Sequence, residues 1–272
     1  MHRKELAALI LAQLDANKAS ILSQWERPKG TNTRHFVIDN LLPEAITEQI
    51  YKAFPSNGEG FHDRESFRER KRTSTHLSDY APILGEITYA IQDEEVVKTI
   101  SDLVGFTQIE PDPSLYAGGL SMMFKGDFLN PHIDNSHDAL RAKYRRLNAL
   151  FYVSPGWALE NGGNFELWDE ARKKPRTIIS KFNRLLVMET NKTSWHSVSP
   201  VLVDQPRCCV SSYYFSAQSP DATDYFHVTS FDGRPEEPMK RVVGIFDNAL
   251  RNTVSKALKI GRGKDQVNKT TE

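Results

Sequence analysis

The stretch Asn130-Pro131-His132-Ile133-Asp134-Asn135 places a histidine and an aspartate one residue apart. At this spacing an imidazole nitrogen and a carboxylate oxygen can reach the same small cation. Two protein ligands hold a catalytic metal only weakly, so a third ligand is expected downstream. The candidate is His196, which follows the aspartate by 196 − 134 = 62 residues. Two histidines and one carboxylate make a facial triad that leaves coordination positions open, as in non-haem Fe(II) sites that activate oxygen.

The composition argues against several classes of partner. Of the 272 residues, 35 are Lys or Arg and 35 are Asp or Glu, which gives a formal charge of zero. We therefore expect no global field that recruits nucleic acid, and no apolar run approaches the roughly 20 residues of a transmembrane segment. The N-terminal run lacks the features of a secretory signal. The two cysteines, Cys208 and Cys209, are adjacent, which excludes a disulfide framework and favours a cytoplasmic location.

The first 110 residues are predicted to form a helical support packed on the core. Apolar residues recur there at helical spacing, and one short stretch is typical of a strand. The predicted elements are two long helices, one shorter helix and one strand, at residues 5–26, 83–104, 43–54 and 35–39.

Residues 59–82 show no sustained apolar period, and basic residues exceed acidic ones by three between Arg64 and Arg72. The simplest interpretation is a solvated loop. The alternative is a mobile lid that touches an anionic substrate, since functional residues concentrate on long loops. Under that alternative Arg68, Arg72 and His76 are candidate substrate contacts.

The character of the chain changes after residue 110, where short β-rich runs alternate with turns. Antiparallel packing is favoured because helices lie before and after these runs, not between them. The sequence therefore predicts a mainly β core at residues 111–220 with flanking helices, an α+β protein with one structural domain. The runs are residues 115–124, 147–153, 164–168, 177–180, 185–189, 196–203 and 208–215.

The C-terminal part is predicted to add a loop and a helix over residues 221–260. The helix, from about Met239 to Leu258, carries an apolar stripe that either packs on the core or mediates a homodimer or membrane-surface contact. Residues 261–272 are polar and are predicted to be disordered.

An anionic cosubstrate would need a cation at the far end of its pocket. Arg207 and Ser211 lie four residues apart on one β-run, together with Cys209 between them. Side chains alternate with period two along a strand, so all three are expected on one face of the sheet.

The region from about residue 115 to 216 resembles the Fe(II)/2-oxoglutarate-dependent dioxygenases, and within them the prolyl 4-hydroxylase-like branch. The resemblance rests on the triad and on an ordered set of motifs around it. The motifs are Arg146 to Val153 leading to Trp157, Glu160 to Leu167, Phe182 to Met188 ahead of His196, and Arg207 with Ser211 before Tyr213-Tyr214-Phe215. The fold that it implies is a double-stranded β-helix, or jelly roll.

The resemblance also implies site roles. His132, Asp134 and His196 would bind Fe(II), and Arg207 would form a bidentate pair with the distal carboxylate of 2-oxoglutarate. Ser211 and Tyr152 would donate hydroxyls to the cosubstrate, with Asn148 a weaker candidate on the same face. Many relatives carry a tyrosine about ten residues before the first histidine, whereas this chain has Met122 and Met123 there.

The implied reaction is hydroxylation of an unactivated C–H bond with oxygen, releasing succinate and CO2, with ascorbate as a candidate reductant. Retention of the carboxylate at Asp134 favours hydroxylation over halogenation. The substrate classes left open are a peptide or free amino acid, a small metabolite, and a glycan or acidic sugar. Tyr116, beside Gly118 and Gly119, and Trp195, beside a ligand, are candidate walls of the substrate pocket.

Two alternative functional hypotheses use the same residues. A Zn-dependent hydrolase could be built on the three ligands, but it leaves Arg207 and Ser211 without a role. A non-catalytic binding module could retain the fold, although intact ligands argue against it.

Overall fold

The computed structural model describes residues 1–169, 171–221 and 223–237. Both of the long predicted helices are divided into two. Asn17 ends the first helix and begins the second, and Asp93 starts a new helix by accepting a hydrogen bond from the backbone N–H of Glu95 at 3.1 Å. The helices are α1 Arg3–Ala16, α2 Lys18–Glu26, α3 Glu44–Ala53, α4 Pro82–Ile91 and α5 Glu94–Val104.

The strands form one curled sheet in which each pairing of the described residues is antiparallel. The order along the sheet is β1-β9-β6-β11-β4-β3-β5-β10-β7-β8, with β2 beside β3 and β12 beside β5. This arrangement confirms the predicted mainly β, jelly-roll core with flanking helices. The strands are β1 His35–Asp39, β2 His62–Glu65, β3 Glu69–Ser74, β4 Gly119–Met123, β5 Phe128–Ile133, β6 Tyr144–Tyr152, β7 Phe165–Trp168, β8 Pro175–Ile178, β9 Arg184–Glu189, β10 His196–Val198, β11 Arg207–Ser216 and β12 Ser230–Phe231.

Strand β11 shows how the sheet separates two cores. Val210 packs in the core that the sheet shares with the helices, whereas Cys209 packs in the core inside the curl. Because successive side chains point to opposite faces of a strand, Arg207 and Ser211 share the inner face with Cys209. All three line one internal cavity.

Residues 62–74 form a β-hairpin, which corrects the interpretation of this segment as a solvated loop. Strands β2 and β3 pair with Arg64 opposite Lys71, and β3 also pairs with β4 and β5. Several of its charged side chains form ion pairs; Asp63, for example, lies 2.7 Å from the Arg72 guanidinium. On β3, ion pairs take the place of apolar contacts, so its sequence lacks the alternating apolar pattern of an ordinary strand.

Strand β5 carries His132 and was absent from the predicted β-runs. Its Asn130 and Pro131 are unusual in a strand interior, yet the Asn130 side chain donates to the Phe67 carbonyl at 3.0 Å. Strand β12 pairs with the end of β5, so residues 230–231 also border the triad.

The helix predicted at residues 239–258 and the tail 261–272 lie outside the described residues. Across the described ranges, each helix is too short or too polar to cross a membrane.

Candidate metal and cosubstrate site

The three predicted metal ligands lie together and are buried. His132 on β5 and His196 on β10 are directly opposed in the antiparallel register, and Asp134 follows the end of β5. The Asp134 carboxylate oxygens lie 3.7 Å from His132 Nε2 and 3.5 Å from His196 Nε2. One ligand atom from each residue therefore falls within 4.8 Å of the other two, which is a separation suited to a single metal ion.

Backbone carbonyls fix the orientation of both imidazoles. His132 Nδ1 lies 2.9 Å from the Asn130 carbonyl oxygen, and His196 Nδ1 lies 2.9 Å from the Ser194 carbonyl oxygen. A carbonyl only accepts, so each Nδ1 must carry the proton and donate it. Each Nε2 is thereby left with a lone pair that faces the carboxylate, which is the tautomer that a metal ligand needs.

The electrostatics of the site hold the ligands in their binding forms. Burial, helped by the nearby His196, lowers the pKa of His132 from 6.5 to about 3, so its imidazole is neutral. Burial alone would raise the pKa of Asp134, but His196 and Arg145 outweigh it and lower that pKa to about 2. Asp134 Oδ2 is buried without a hydrogen-bond partner among the described residues. A divalent cation would satisfy this oxygen, so the donor set fits Fe(II).

A cavity of about 80 Å³ adjoins the triad and is lined by Arg207 and Ser211 as well as by the metal ligands. The Arg207 side chain is buried; it donates to the Ser180 hydroxyl at 3.1 Å and contacts the Met123 sulfur at 3.5 Å. Neither partner is a carboxylate, so a buried positive charge faces the cavity without a counterion in the described part of the chain. An anionic carboxylate of a cosubstrate fits this position.

Tyr152 and Asn148 also reach the interior face, on β6. The Arg207 guanidinium lies 4.8 Å from the centroid of the Tyr152 ring. The Tyr152 hydroxyl is buried beside Ser180 and Arg207 without a well-formed hydrogen bond to either, and burial raises its pKa. The Asn148 Oδ1 atom is likewise buried without a partner among the described residues, and Asn148 lines the cavity. Both side chains therefore have polar atoms available for a ligand.

The packing of the two methionines of β4 and of the two cysteines of β11 shows where their side chains lie. Met122 packs on the helix side of the sheet, whereas Met123 packs inside it and contacts Arg207. Met123 thus lines the cosubstrate cavity, together with Leu120 and Ser121 of the same strand. Cys208 and Cys209 are free thiols, both buried, and burial raises the pKa of Cys209 to about 11.

Arg145 belongs to the site and was missed from sequence. It is among the largest fully buried side chains, and its Nη1 lies 3.5 Å from Asp134 Oδ1. Its guanidinium also stacks 3.7 Å from the centroid of the Tyr213 ring. The other guanidinium nitrogens, Nε and Nη2, are buried and have no hydrogen-bond partner in the described ranges.

A second cavity, of about 50 Å³, lies on the Arg145 side of Asp134. Its wall includes Arg64, Glu69 and Lys71 from the β2–β3 hairpin, because the side chains of Glu69 and Lys71 point inward from β3. A groove of about 260 Å³ adjoins it, also lined by Arg64. The hairpin therefore forms part of the wall around the open side of the metal site.

The predicted substrate residues divide into two groups. Tyr116 lines the second cavity, and His76 lines the adjoining groove. The others lie outside the walls of these cavities: Arg72 pairs with Asp63, Arg68 stacks on Phe67 with 4.7 Å from guanidinium to ring centroid, and the Trp195 ring is covered by Arg172 at 4.5 Å.

Comparison with known proteins identifies the class of this core. Residues 118–215 match the family described as the 2OG-Fe(II) oxygenase superfamily. The mouse protein named Prolyl 3-hydroxylase OGFOD1 is 26% identical over 88 residues, which are 30% of this chain and 16% of that protein. The chain thus matches only about a sixth of the length of this relative.

Solved prolyl hydroxylases share the fold. One is a Trichoplax adhaerens prolyl hydroxylase, solved in complex with a hypoxia inducible factor oxygen degradation domain peptide fragment. Its TM-score is 0.55 at 16% identity, and the matched region covers 75% of this chain and 92% of that enzyme's chain. A Pseudomonas putida prolyl-4-hydroxylase has a TM-score of 0.55 at 14% identity and covers 73% of this chain and 98% of its own.

The core built around the triad is therefore that of a 2OG-Fe(II) oxygenase. The family match confirms the superfamily predicted from the motifs, and the similar proteins named above are prolyl hydroxylases, the branch that the motifs predicted. Fe(II) and 2-oxoglutarate are accordingly its cofactors.

Proposed function

We propose that this protein is an Fe(II)- and 2-oxoglutarate-dependent dioxygenase that hydroxylates an unactivated C–H bond of an organic substrate, with release of succinate and CO2. The observation that carries the proposal is the convergence of three ligand atoms within 4.8 Å, in the wall of the same cavity as the Arg207 guanidinium. A zinc hydrolase would use the three ligands but would have no need of a buried arginine in the wall of the same cavity.

The roles of the side chains follow from their positions. His132, Asp134 and His196 would hold Fe(II), which supplies the redox chemistry with oxygen. Arg207 would receive the distal carboxylate of 2-oxoglutarate through its guanidinium fork, and Ser211 would donate its hydroxyl to the same group. The Tyr152 hydroxyl and Asn148 Oδ1, which are buried without hydrogen-bond partners among the described residues, would complete the binding of the cosubstrate.

The substrate is proposed to be a peptidyl or free amino acid, with a small metabolite, glycan or acidic sugar as the other classes. Support for a peptide comes from the T. adhaerens enzyme, whose structure contains a peptide fragment. The groove of about 260 Å³ beside the second cavity offers room for such a chain, and His62 and His76 line it.

The direct test is production of succinate from 2-oxoglutarate in the presence of Fe(II) and ascorbate, with and without candidate substrates. We expect turnover from the wild-type protein and none from His132→Ala. His2→Ala, at a surface histidine that begins α1, is the matched control and should retain turnover. Absence of succinate from the wild type, with every substrate tried and with none, would favour a non-catalytic binding module.

A cytoplasmic location and a homodimer through the helix predicted at residues 239–258 complete the proposal. Sedimentation of the full chain tests the dimer, and a monomer at all concentrations would contradict it. Fractionation of cells that express the chain tests the location.

A further inference from the structure

Lys71 occupies a position that the proposed binding of iron and 2-oxoglutarate does not use. It points inward from β3 and lines both the cosubstrate cavity and the second cavity. Its side chain is only 21% exposed, so its ammonium group is largely removed from solvent. A lysine buried at the boundary of two cavities is costly unless a negative group is close to it.

In the described part of the chain, Glu69 supplies the carboxylate nearest to Lys71, and the same carboxylate also pairs with Arg64. Glu69 Oε2 lies 3.4 Å from Lys71 Nζ, and Glu69 Oε1 lies 3.7 Å from Arg64 Nη1. One buried carboxylate is thus shared by two cations of the hairpin. Both distances are longer than those of well-formed charge-assisted hydrogen bonds, which are about 2.7–2.9 Å.

Arg145 adds a third cation to the wall of the second cavity. Its ion pair with Asp134 engages only Nη1, and its Nε and Nη2 are buried without acceptors among the described residues. Unsatisfied buried donors of a guanidinium point to an acceptor that a ligand supplies.

Among the described residues, the wall of the second cavity carries more cationic than anionic side chains. Its wall holds Arg64, Lys71 and Arg145 against the carboxylates of Glu69 and Asp134. When Asp134 ligates a divalent cation, the negative charge of that carboxylate is directed at the metal and the excess increases. A neutral substrate would leave Arg145 Nε and Nη2 without acceptors and Lys71 with only a shared carboxylate, whereas a substrate carboxylate would pair with both side chains.

We infer that the substrate bears a carboxylate close to the C–H bond that is hydroxylated, and that Lys71 and Arg145 bind this carboxylate in the second cavity. The inference rests on the proposed function and narrows its substrate class to acidic compounds, such as a free amino acid or a peptide with an acidic group at the reacting residue. Lys71 is then a substrate-binding residue supplied by the hairpin.

The test uses full-length protein loaded with Zn(II) and saturating 2-oxoglutarate, so that the Arg207 position is filled. Saturation-transfer NMR titrations compare propionate with propionamide, which differ mainly in charge. We expect propionate to bind at least tenfold more tightly. Lys71→Gln should weaken propionate binding at least tenfold, whereas Lys71→Arg should retain it. Arg72→Gln, on the outer face of the same strand, is the matched control and should bind like wild type.

Equal affinities for propionate and propionamide in the wild type would overturn the inference, and so would full retention of propionate binding by Lys71→Gln. Tighter binding of methylphosphonate than of propionate would overturn the assignment to a carboxylate. These outcomes are separate from a failure of the proposed function, which would be seen as absence of succinate formation in the Fe(II) assay. Calorimetric titration of Zn(II) and 2-oxoglutarate verifies the loaded state of each variant before the anion is added.

Discussion

His132 and His196 are directly opposed on neighbouring antiparallel strands, and their ring centroids lie 4.1 Å apart. This one register pairs two residues that are 64 positions apart in the chain (196 − 132). Directly opposed residues of an antiparallel pair have Cβ atoms about 4.5–5.5 Å apart, so the register alone brings the imidazoles together. With both Nδ1 atoms donating to carbonyls, the two Nε2 atoms converge on Asp134.

The carboxylate ligand should be essential for metal binding. Asp134→Ala removes one of three ligands and leaves two histidines, so we expect Mn(II) or Fe(II) affinity to fall by more than about 100-fold. Isothermal titration with Mn(II) under anaerobic conditions measures this. Asp204→Ala, at a surface aspartate paired with Lys125 at 3.2 Å, is the control and should bind metal normally. Unchanged affinity in Asp134→Ala would rule out the triad.

The planar geometry of the Arg207 guanidinium, and not only its charge, should determine the KM for 2-oxoglutarate. Arg207→Lys keeps a cation but cannot form a bidentate pair, so the KM for 2-oxoglutarate should rise at least several-fold. Uncoupled succinate formation at varied 2-oxoglutarate measures the effect. Arg184→Lys, in the ion pair with Asp39 and not among the residues that line the cavity, provides the comparison. An unchanged KM in Arg207→Lys would mean that another cation holds the cosubstrate.

Acid should destabilise the metal-free protein through His132. Because its pKa is lowered from 6.5 to about 3 in the fold, the unfolded chain takes up a proton that the folded chain excludes. Stability is therefore lost as the pH falls from 6.5 towards 3, and His132→Gln should lose roughly 2 kcal/mol less than wild type between about pH 7 and about pH 4.5. Urea unfolding at the two pH values measures the difference. Equal losses in the two proteins would contradict the neutral buried imidazole.

The ion pair of Arg145 with Asp134 should contribute strongly to the metal-free fold. Removing one partner of a buried pair typically costs about 3–5 kcal/mol because the other charge is left uncompensated. We expect a loss of this size for Arg145→Met, reduced when Zn(II) is bound to Asp134. Lys98→Met, in an exposed pair with Asp102, should cost less than about 1 kcal/mol. Chemical unfolding with and without Zn(II) distinguishes these outcomes; a cost for Arg145→Met no larger than for Lys98→Met would contradict the role of the pair.

Close approach of β3 and β4 requires a glycine at residue 119. Its φ is +92°, and a Cβ there would lie 2.4 Å from the Ser74 carbonyl oxygen. Gly119→Ala should therefore be more destabilising than Gly105→Ala, which has a φ of +73° but open space around the added Cβ. The positive φ costs about 1–2 kcal/mol at either site, and the clash adds to it only at Gly119. Thermal unfolding of both variants tests this; equal shifts in Tm would show that the strands separate freely.

The sequence by itself determined the ligand types, the class of core and the parity of β11. Side-chain alternation is a local property of a strand, so the common face of Arg207 and Ser211 follows from their spacing alone. The adjacent motifs likewise identified the family. Both conclusions depend on residues within a few positions of one another or on their order along the chain.

Tertiary structure decided what depends on pairing between distant strands. The inward position of Lys71 follows from the pairing of β3 with β4 and β5. The charged sequence of β3 has no apolar pattern from which this pairing could be predicted. The direction of the Arg145 side chain also depends on strand pairing. Counting by two from Asn148 would put Arg146 inside, but a bulge opposite Tyr214 and Phe215 shifts the alternation by one residue. Arg145 therefore meets Asp134, while Arg146 stacks 4.5 Å from the ring centroid of Phe106 on the helix side.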